Sequence, residues 1–503
     1  MKIQDFLEYH GINRNPFAEE DAKSDKVFKD HCIINTYHPI WDKVYGDPSE
    51  PTTSVVFGEK GSGKTAICLQ IARHVDSYNQ EHPEERVFVI HYDDFNPFLD
   101  RFRDQIPGRN ATADKVLQQW KLWDHMDAIL TAGVTGLVDN LMETPATRVR
   151  TSGEVQSQLS CRLDRHQLRD LLLLAACYDE STQQTFLGRW NQLRKSLGFS
   201  TIKAQWQRIL GITFSVVAFF ILITMAVYDL ETVTDRGFWF LLLGSLAGSW
   251  TPWCWKSIQN LFRSHGILQK MRVGNREAGS LRKVLMQFTN DEIDSQPLPN
   301  KSSTDDRYEL LIKFQSILKT LGFSGILVLV DRVDEPHLIN GSADLMKELL
   351  WPMLDNKFLK QPGIGIKLML PIELARFIEK EDRQFYQRAR LDKQNMIKSF
   401  GWTSESLVDV ANARLKACSD RGEVATLIDL FDESVSQRRI LDALKMLRVP
   451  RHLFKFLYQL SVDHCNSYTD QAPEFQIDSK TFETTFAVFL REQDAFDHGL
   501  SAG

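Results

Sequence analysis

The sequence lacks the features that mark secreted, disulfide-stabilised or nucleic-acid-binding proteins. Its seven cysteines are scattered, with no Cys-x-x-Cys pair and no His/Cys grouping at zinc spacing, which suits a reducing cytosol for the soluble parts. Lys and Arg number 60 against 66 Asp and Glu, so the net charge of −6 gives no overall basic signal for nucleic acid. Residues 1–10 lack the basic end and apolar run of a secretory signal. Nucleic acid is therefore not an expected partner, and any membrane location must be encoded inside the chain.

Charged residues are missing from two internal stretches, at 209–228 and 238–255. The first has the length of ~20 residues that crosses a hydrocarbon layer as a helix. The second is weaker, because Pro252 and several small or polar residues dilute it. Residues 229–237 join the two, which predicts a two-helix transmembrane hairpin. The competing interpretation is a pair of buried helices in a large soluble core.

The distribution of charge orients this hairpin. The basic flanks are Arg194, Lys195, Lys203 and Arg208 before the first run, and Lys256, Arg263, Lys270 and Arg272 after the second. The connecting turn is acidic, with Asp229, Glu231 and Asp235 against Arg236 alone. Because positive flanks stay cytoplasmic, both long arms are predicted to lie inside. This predicts a multi-pass protein of the inner (cytoplasmic) membrane, with membrane lipid as a partner.

A complete phosphate-binding pattern lies near the start of the chain. Residues 58–65 match G-x-x-x-x-G-K-[ST] in full, between a β-prone run at 54–57 and a helical period at 66–74. Glycines let backbone N–H groups turn inward around phosphate oxygens, Lys64 reaches the β- and γ-phosphates, and Thr65 places its hydroxyl on Mg²⁺. With ATP and Mg²⁺ as cofactors, the predicted binding residues are Gly58, Glu59, Lys60, Gly61, Ser62, Gly63, Lys64, Thr65 and Ala66. The alternative is a glycine-rich turn that binds nothing.

A second motif supplies the acidic residue that Mg²⁺ needs. Residues 325–330 form an apolar, largely β-branched run suited to a central parallel strand, and Asp331 follows at its carboxyl end, where such sheets bind ligands. We predict that Asp331 holds Mg²⁺ with Thr65 and is catalytic together with Lys64, while Glu335 or Asp334 orients the attacking water. Arg332 stands where many ATPases of the AAA type have Glu. The alternative is a core strand that ends in a solvated acidic loop.

Further residues are candidates for contacts with the nucleotide. Arg451 opens a helix directly after Pro450, and its guanidinium is predicted to reach the γ-phosphate; an arginine at a surface helix start is the alternative. The other candidates are Tyr37 and His38 for the adenine, Glu373 as a γ-phosphate sensor, and Arg388 and Arg390 as trans-acting fingers in an oligomer. For Tyr37 and His38 the alternative is a surface segment that packs on the sheet.

The two motifs are far apart in the chain. Lys64 and Asp331 are separated by 331 − 64 = 267 residues, whereas each β–α unit takes roughly 30, so a segment is inserted between them. We predict an α/β fold: a P-loop NTPase with a central, mostly parallel sheet, an inserted two-helix transmembrane hairpin and a C-terminal helical lid. The predicted boundaries are 1–50 for a lead-in, 51–150 and 301–400 for the two parts of the NTPase core, 151–300 for the helical insertion and 401–503 for the lid.

A P-loop domain interrupted by membrane spans between its two motifs resembles the KAP group of P-loop ATPases. Residues 328–335, V-L-V-D-R-V-D-E, are similar to the second Walker motif of NACHT and other STAND ATPases, which end in Asp-x-x-Asp-Glu. The Asp-Asp-x-Asp-Arg typical of KAP proteins is not found there. The resemblance covers the P-loop, the Asp331 strand and the lid. It implies a nucleotide-driven switch of the AAA superfamily, a role that some members perform in bacterial defence against phage.

These observations predict a membrane-anchored ATPase that binds and hydrolyses Mg-ATP as a conformational or oligomerisation switch. The resemblance implies that this switch acts in bacterial defence or signalling. Two alternatives stay open. One is a nucleotide-binding membrane scaffold with little turnover, which Arg332 favours. The other is an ATPase that energises a secretion complex, because Asn-Pro-Phe lead-ins such as residues 15–17 also occur near such P-loops. Besides nucleotide, the expected partners are further copies of the chain or a partner protein.

Overall fold

The computed structural model describes residues 1–106, 112–142, 163–181, 185–228, 236–299, 301–419 and 425–497. The chain divides into two compact units. The first consists of Met1–Val89, Leu327–Lys347 and Leu354–Gly503, and the second of Ile90–Ile326 and Glu348–Met353. Most of the second unit is thus inserted in sequence between Val89 and Leu327 of the first. The predicted insertion at 151–300 lies within it.

Five parallel strands form one sheet, which makes the chain an α/β protein as predicted. The strands are β1 (Ser54–Gly58), β2 (Arg86–Tyr92), β3 (Phe323–Val330), β4 (Ile364–Pro371) and β5 (Asn395–Ile397). Their spatial order is β2-β3-β4-β1-β5. Every residue of β1 and β4 is buried, because a parallel strand covered on both faces takes a continuous apolar run. β1 lies between β4 and β5, with Val56 opposite Met369 on one side and Ile397 on the other.

The remaining elements of the first unit are helical. They are Ile3–Tyr9, a π-helical turn at Phe28–Cys32, Trp41–Tyr45, Lys64–Glu81, Ala343–Leu350, Asn356–Leu359, Glu373–Glu379, Arg383–Ala389, Ser404–Ala417, Gln437–Leu447, Pro450–Ser467 and Ser479–Asp497, with 3₁₀ turns at Leu391–Lys393 and Ile428–Leu430. In the described part of 401–503 the regular elements are helical.

One hydrophobic core joins the N-terminal segment to the C-terminal helices. Phe6 and Ile12, at the start of the chain, are fully buried together with Leu407, Leu453 and Leu460. A separate core surrounds the helix Lys64–Glu81 and the strands beside it. Residues 1–33 therefore contribute to the same core as the C-terminal helices, although the whole sheet separates them in sequence.

Apart from the end of β2 and the start of β3, the regular elements of the second unit are helices. They are Asn96–Gln105, Ala113–Leu117, Leu122–Met142, Arg165–Tyr178, Phe186–Ser196, a 3₁₀ turn at Ile202–Gln205, Trp206–Tyr228, Arg236–Lys270, Ala278–Leu285, Asn290–Asp294 and Thr304–Thr320, with a further 3₁₀ turn at Trp351–Met353. A buried ion pair lies in its interior, where Arg307 Nη2 is 2.9 Å from Asp127 Oδ2. The hydroxyl of Tyr178 donates to the same carboxylate at 2.7 Å.

The two uncharged runs lie in helices that pack against each other in opposite directions. The ring of Trp250 lies against Gly211, where a Cβ would be 3.0 Å away, and its indole N–H donates to Ser215 Oγ at 3.1 Å. Further along, Lys256 Nζ donates to the Ala204 carbonyl at 2.7 Å. Because glycine has no Cβ, position 211 leaves room for the indole between the two helices.

Within the described residues, Ile202–Met225 is the one helix that is long and apolar enough to cross a membrane, with 11% of that segment buried. The second predicted span, 238–255, lies in the helix Arg236–Lys270, which does not meet that criterion. The two-span hairpin is therefore not confirmed and stays a prediction. Residues 229–235 of the connecting turn lie outside the described part of the chain.

Candidate functional site

The phosphate-binding pattern forms a tight loop between β1 and the helix Lys64–Glu81. Gly61 has φ +83° and Gly63 has φ +100°, in the left-handed region that residues with a Cβ rarely adopt. A Cβ on Gly61 would also lie only 2.6 Å from the Cβ of Arg451. These backbone conformations explain why glycine is required at both positions, and they turn successive N–H groups toward one concave surface.

Three backbone contacts hold the loop from outside. The indole N–H of Trp402 donates to the Ser62 carbonyl at 2.8 Å, and the Ile372 N–H donates to the Gly58 carbonyl at 3.1 Å. The N–H of Phe400 donates to the Phe57 carbonyl at 2.6 Å. Ser62 Oγ is buried and has no hydrogen-bond partner among the described residues.

Lys64 lies at the start of the helix and folds back over the loop. Its ammonium donates to the carbonyls of Gly58 and Glu59, both at 2.9 Å. Burial lowers the pKa of this ammonium, while the carboxylates of Asp331, Asp334 and Glu373 oppose the shift. The cation therefore faces several carboxylates at the end of the sheet, including the predicted γ-phosphate sensor Glu373.

Thr65 and Asp331, the two predicted metal ligands, are in direct contact. Thr65 Oγ1 donates to Asp331 Oδ2 at 2.6 Å, although 266 positions separate them. Asp331 is 4% exposed, and burial raises the pKa of its carboxyl group against the opposing hydrogen bond from Thr65. A hydroxyl and a carboxylate at this separation suit Mg²⁺, which takes few protein ligands and completes its shell with phosphate oxygens and water. Consistent with this, the described residues contain no cluster of three His, Cys, Asp or Glu side chains that would hold a metal alone.

Arg332 follows Asp331 in a left-handed backbone conformation, with φ +57°. Its guanidinium lies 3.3 Å from a carboxylate oxygen of Asp21 and 3.3 Å from one of Glu335. Burial raises the pKa of Glu335, and the Arg332 cation lowers it. One of the two candidate bases is thus held by an ion pair, and the other, Asp334, acts on Lys64 through its charge.

The loop and the acidic strand end share one cavity of about 180 Å³. Its polar lining consists of Glu20, Asp21, Asp25, Thr36, Lys60, Gly61, Gly63, Lys64, Thr65, Gln70, Asp331, Arg332, Asp334, Glu335, Arg414 and Arg451. Its apolar and aromatic lining includes Phe28, Cys32, His38, Ala66, Ile67, Phe400, Trp402, Val410 and Phe454. A cavity with both kinds of lining fits a ligand that has an ionic end and a planar apolar end.

No protein-family model, curated protein or solved structure matches this chain. The resemblance to KAP and STAND ATPases therefore stays a prediction. The chemistry of the site must be argued from its own geometry.

The other predicted residues separate into those inside and outside the cavity. Arg451 lies inside; its N–H donates to the Gly61 carbonyl at 3.3 Å, and its Nε is 3.7 Å from Glu20. His38 also lines the cavity, and its Nε2 lies 2.8 Å from the Gly401 carbonyl. Tyr37 is not among the lining residues, and its hydroxyl lies 2.6 Å from Nε2 of His74. Arg388 and Arg390 are not among the described lining residues either, although a finger acting in trans would belong to another copy of the chain.

Sequence reasoning missed the contribution of the N-terminal segment and the lid to this wall. Asp25 and Arg414 form a buried ion pair, with 2.5 Å between Oδ2 and Nη1, and the guanidinium lies 4.3 Å from the centre of the Phe454 ring. The only signal was an arginine within the apolar period of the helix Ser404–Ala417. Its partner is 389 positions away, which local pattern reading does not reach.

Proposed function

We propose that this chain is a membrane-anchored ATPase that binds and hydrolyses Mg-ATP, and that it uses nucleotide as a conformational or oligomerisation switch. The observation that carries the proposal is the 2.6 Å contact between Thr65 and Asp331 beside Lys64. Two motifs whose contacting residues are 266 positions apart in the chain meet at the same end of one sheet. That end is where parallel sheets bind ligands.

Each residue in this arrangement has a chemical role toward a polyphosphate. The N–H groups of the glycine turn and the ammonium of Lys64 bind phosphate oxygens and balance their charge. Thr65 and Asp331 are the residues that would hold Mg²⁺, which neutralises charge on the β- and γ-phosphates when bound. Asp334 or Glu335 accepts the proton of the attacking water, and the raised pKa of Glu335 makes it a stronger base than an ordinary carboxylate.

Closure of the lid on nucleotide is supported by the composition of the cavity wall. Arg451 and Phe454 come from the helix Pro450–Ser467, and Arg414 comes from the helix Ser404–Ala417. These helices share their core with residues 1–33, so lid and N-terminal segment would move as one body. Nucleotide contacts with these helices that form only when they close give the closed state a higher affinity for nucleotide than the open state. A conformational switch requires such a difference in affinity.

Membrane anchoring is supported by the surface of the helix Trp206–Tyr228. Phe219 and Phe220 are each 61% exposed, and burying such apolar surface is favourable by about 25 cal/mol per Å². The proposal includes the second span at 238–255 and the cytoplasmic placement of both arms. Membranes washed with alkaline carbonate should retain the full chain, and release into the supernatant would contradict the anchor.

Hydrolysis is tested with full-length protein purified in detergent. We expect Mg²⁺-dependent release of phosphate from ATP, reduced at least tenfold (roughly 1.4 kcal/mol or more in transition-state free energy) by Lys64→Ala or Asp331→Asn. Lys416→Ala serves as a matched control, because this lysine is exposed on a lid helix. Turnover that is the same with alanine at position 64 would refute the proposal.

A second candidate function is a membrane scaffold that holds nucleotide with little turnover. The observation that favours it is the ion pair between Arg332 and Glu335, which occupies a candidate base. Tight binding of Mg-ATP with negligible turnover, unchanged by Glu335→Gln, would support the scaffold over the ATPase.

A further inference from the structure

Arg332 occupies an unusual position for an arginine. It follows the metal-ligand candidate Asp331 directly and has a backbone φ of +57°, a conformation that is unfavourable for any residue with a Cβ. Its side chain lines the same cavity as Lys64 and Thr65. A strained residue beside a candidate catalytic carboxylate indicates a functional constraint on where its side chain lies.

The partners of the Arg332 guanidinium are weak and exposed. Asp21 and Glu335, each 3.3 Å away, have side chains that are 47% and 55% exposed. Ion pairs with such exposed carboxylates contribute little, because water solvates the carboxylate charge well. Arg332 Nε is buried and has no hydrogen-bond partner in the described part of the chain. The guanidinium therefore keeps an unused donor inside a cavity that carries the phosphate-binding loop.

A terminal phosphate is a better partner for this group than either carboxylate. Guanidinium binds phosphate through two parallel hydrogen bonds, in a geometry that matches its fixed fork of donors. A phosphate next to Lys64 and Asp331 would enter the cavity that Arg332 lines. If the Arg332 side chain moved to that phosphate, its Nε–H would gain an acceptor and its contact with Glu335 would break.

We propose that Arg332 is a ligand of the terminal phosphate of ATP, and that binding moves its guanidinium from Asp21 and Glu335 to that phosphate. This inference rests on the proposed function. The released Glu335 carboxylate then takes a proton from water as the water oxygen bonds to the γ-phosphorus. The bond between that phosphorus and the oxygen bridging to the β-phosphate breaks, and its electron pair leaves on ADP. Arg332 thereby links arrival of the γ-phosphate to the freeing of the base.

The first test compares ATP with ADP, because only ATP has the phosphate that Arg332 would contact. We expect Arg332→Ala to weaken binding of Mg-ATP by about 10- to 100-fold, the range for a hydrogen bond to a charged group. Binding of ADP should change less than about twofold. Arg332→Lys should lose less ATP affinity than Arg332→Ala, because lysine keeps the positive charge but lacks the paired donors of the guanidinium. An equal loss for both nucleotides would overturn the proposal, because it would mean a general structural role.

Arg448→Ala is the matched control for backbone strain. Arg448 is an exposed arginine with a similar φ of +62°, and it does not line the site cavity. It should leave the preference for ATP over ADP unchanged. Melting curves without nucleotide establish that each variant is folded.

The second test uses the competing carboxylate of Asp21. Asp21→Asn should strengthen ATP binding by about two- to fivefold, since it removes one weak competitor for the guanidinium. In the Arg332→Ala background the same substitution should have no effect. If Asp21→Asn acts equally in both backgrounds, the exchange does not occur.

The two proposals fail in different ways. If wild-type protein neither binds Mg-ATP nor depends on Lys64, the proposed function is wrong. If binding depends on Lys64 while Arg332→Ala keeps the wild-type preference for ATP over ADP, only the role of Arg332 is wrong.

Discussion

Replacement of Lys367 by methionine is expected to stabilise the sheet that carries the phosphate-binding loop. Lys367 lies on β4 opposite Ser54 of β1 and is completely buried. Its ammonium donates to the Tyr45 carbonyl at 3.1 Å, and no carboxylate in the described part of the chain forms an ion pair with it. Burial lowers the pKa of this lysine from 10.5 to about 8.

The sign and size of the effect follow from these two pKa values. Above pH 10.5 neither the folded nor the unfolded chain holds the proton, so there is no penalty. As the pH falls from 10.5 to about 8, the unfolded chain takes up a proton that the folded chain does not, at about 1.4 kcal/mol per pH unit. Below about pH 8 the penalty is constant at about 3 kcal/mol. Methionine removes it but leaves the Tyr45 carbonyl without its donor, which costs about 1 kcal/mol, so the expected net gain at neutral pH is about 2 kcal/mol.

Urea unfolding followed by pulse proteolysis, at about pH 7 and about pH 9.5, measures this gain. At about pH 9.5 the remaining penalty in the wild type is about 1.4 kcal/mol, so the advantage of Lys367→Met should fall to near zero. Lys319→Met, at an exposed position, should show no such pH dependence. An equal gain at both pH values, or a less stable variant at about pH 7, would refute the reasoning.

Three further predictions concern the loop and the inserted unit. Gly61→Ala should abolish ATP binding in equilibrium dialysis, because the new Cβ meets Arg451 at 2.6 Å and the left-handed backbone adds about 1–2 kcal/mol of strain. Ser62→Ala should leave the folded protein equally or up to about 1 kcal/mol more stable in urea, since no described residue forms a hydrogen bond with its buried hydroxyl. Arg307→Met should lower the free energy of unfolding by about 3–5 kcal/mol, because it leaves the buried Asp127 carboxylate without its cationic partner. Adding Asp127→Asn should recover much of that loss in the same urea titration.

The parts of the site that short segments determine could be predicted from the sequence. Residues 58–65 carry their own geometry, because Gly61 and Gly63 supply the positive φ angles and the helix starts at Lys64. Asp331 was located because a continuous apolar run predicts a buried parallel strand and therefore its carboxyl end. The contact between Thr65 and Asp331 then follows from the rule that parallel strands present these ends at one edge.

The parts that depend on distant partners could not be predicted. Nothing near Asp21 or Asp25 indicates that they face Arg332 and Arg414, because these partners are 311 and 389 positions away in the chain. The place of Tyr37 in the lead-in before the P-loop strand predicts a contact with the adenine, but its hydroxyl lies 2.6 Å from His74 and it is not among the residues that line the cavity.

The helix that contains the second apolar run is longer than the predicted span of 238–255. The run without charges ends at 255, whereas the helix continues to Lys270. Lys256, Asn260 and Ser264 are buried at intervals of four residues, which places them on one face of that helix. The spacing of these buried residues indicates that the helix continues past residue 255. A count of uncharged residues does not reveal this.

The order of the strands has a consequence for synthesis on the ribosome. Both neighbours of β1 in the sheet, β4 and β5, are encoded more than 300 residues later. At about 5–20 residues per second, β1 emerges tens of seconds before either neighbour exists. Throughout that time both of its edges are open to association with other nascent chains. We therefore expect a chaperone to shield the stretch around Val55 and Val56 during translation, and truncation before residue 364 to yield a chain that aggregates.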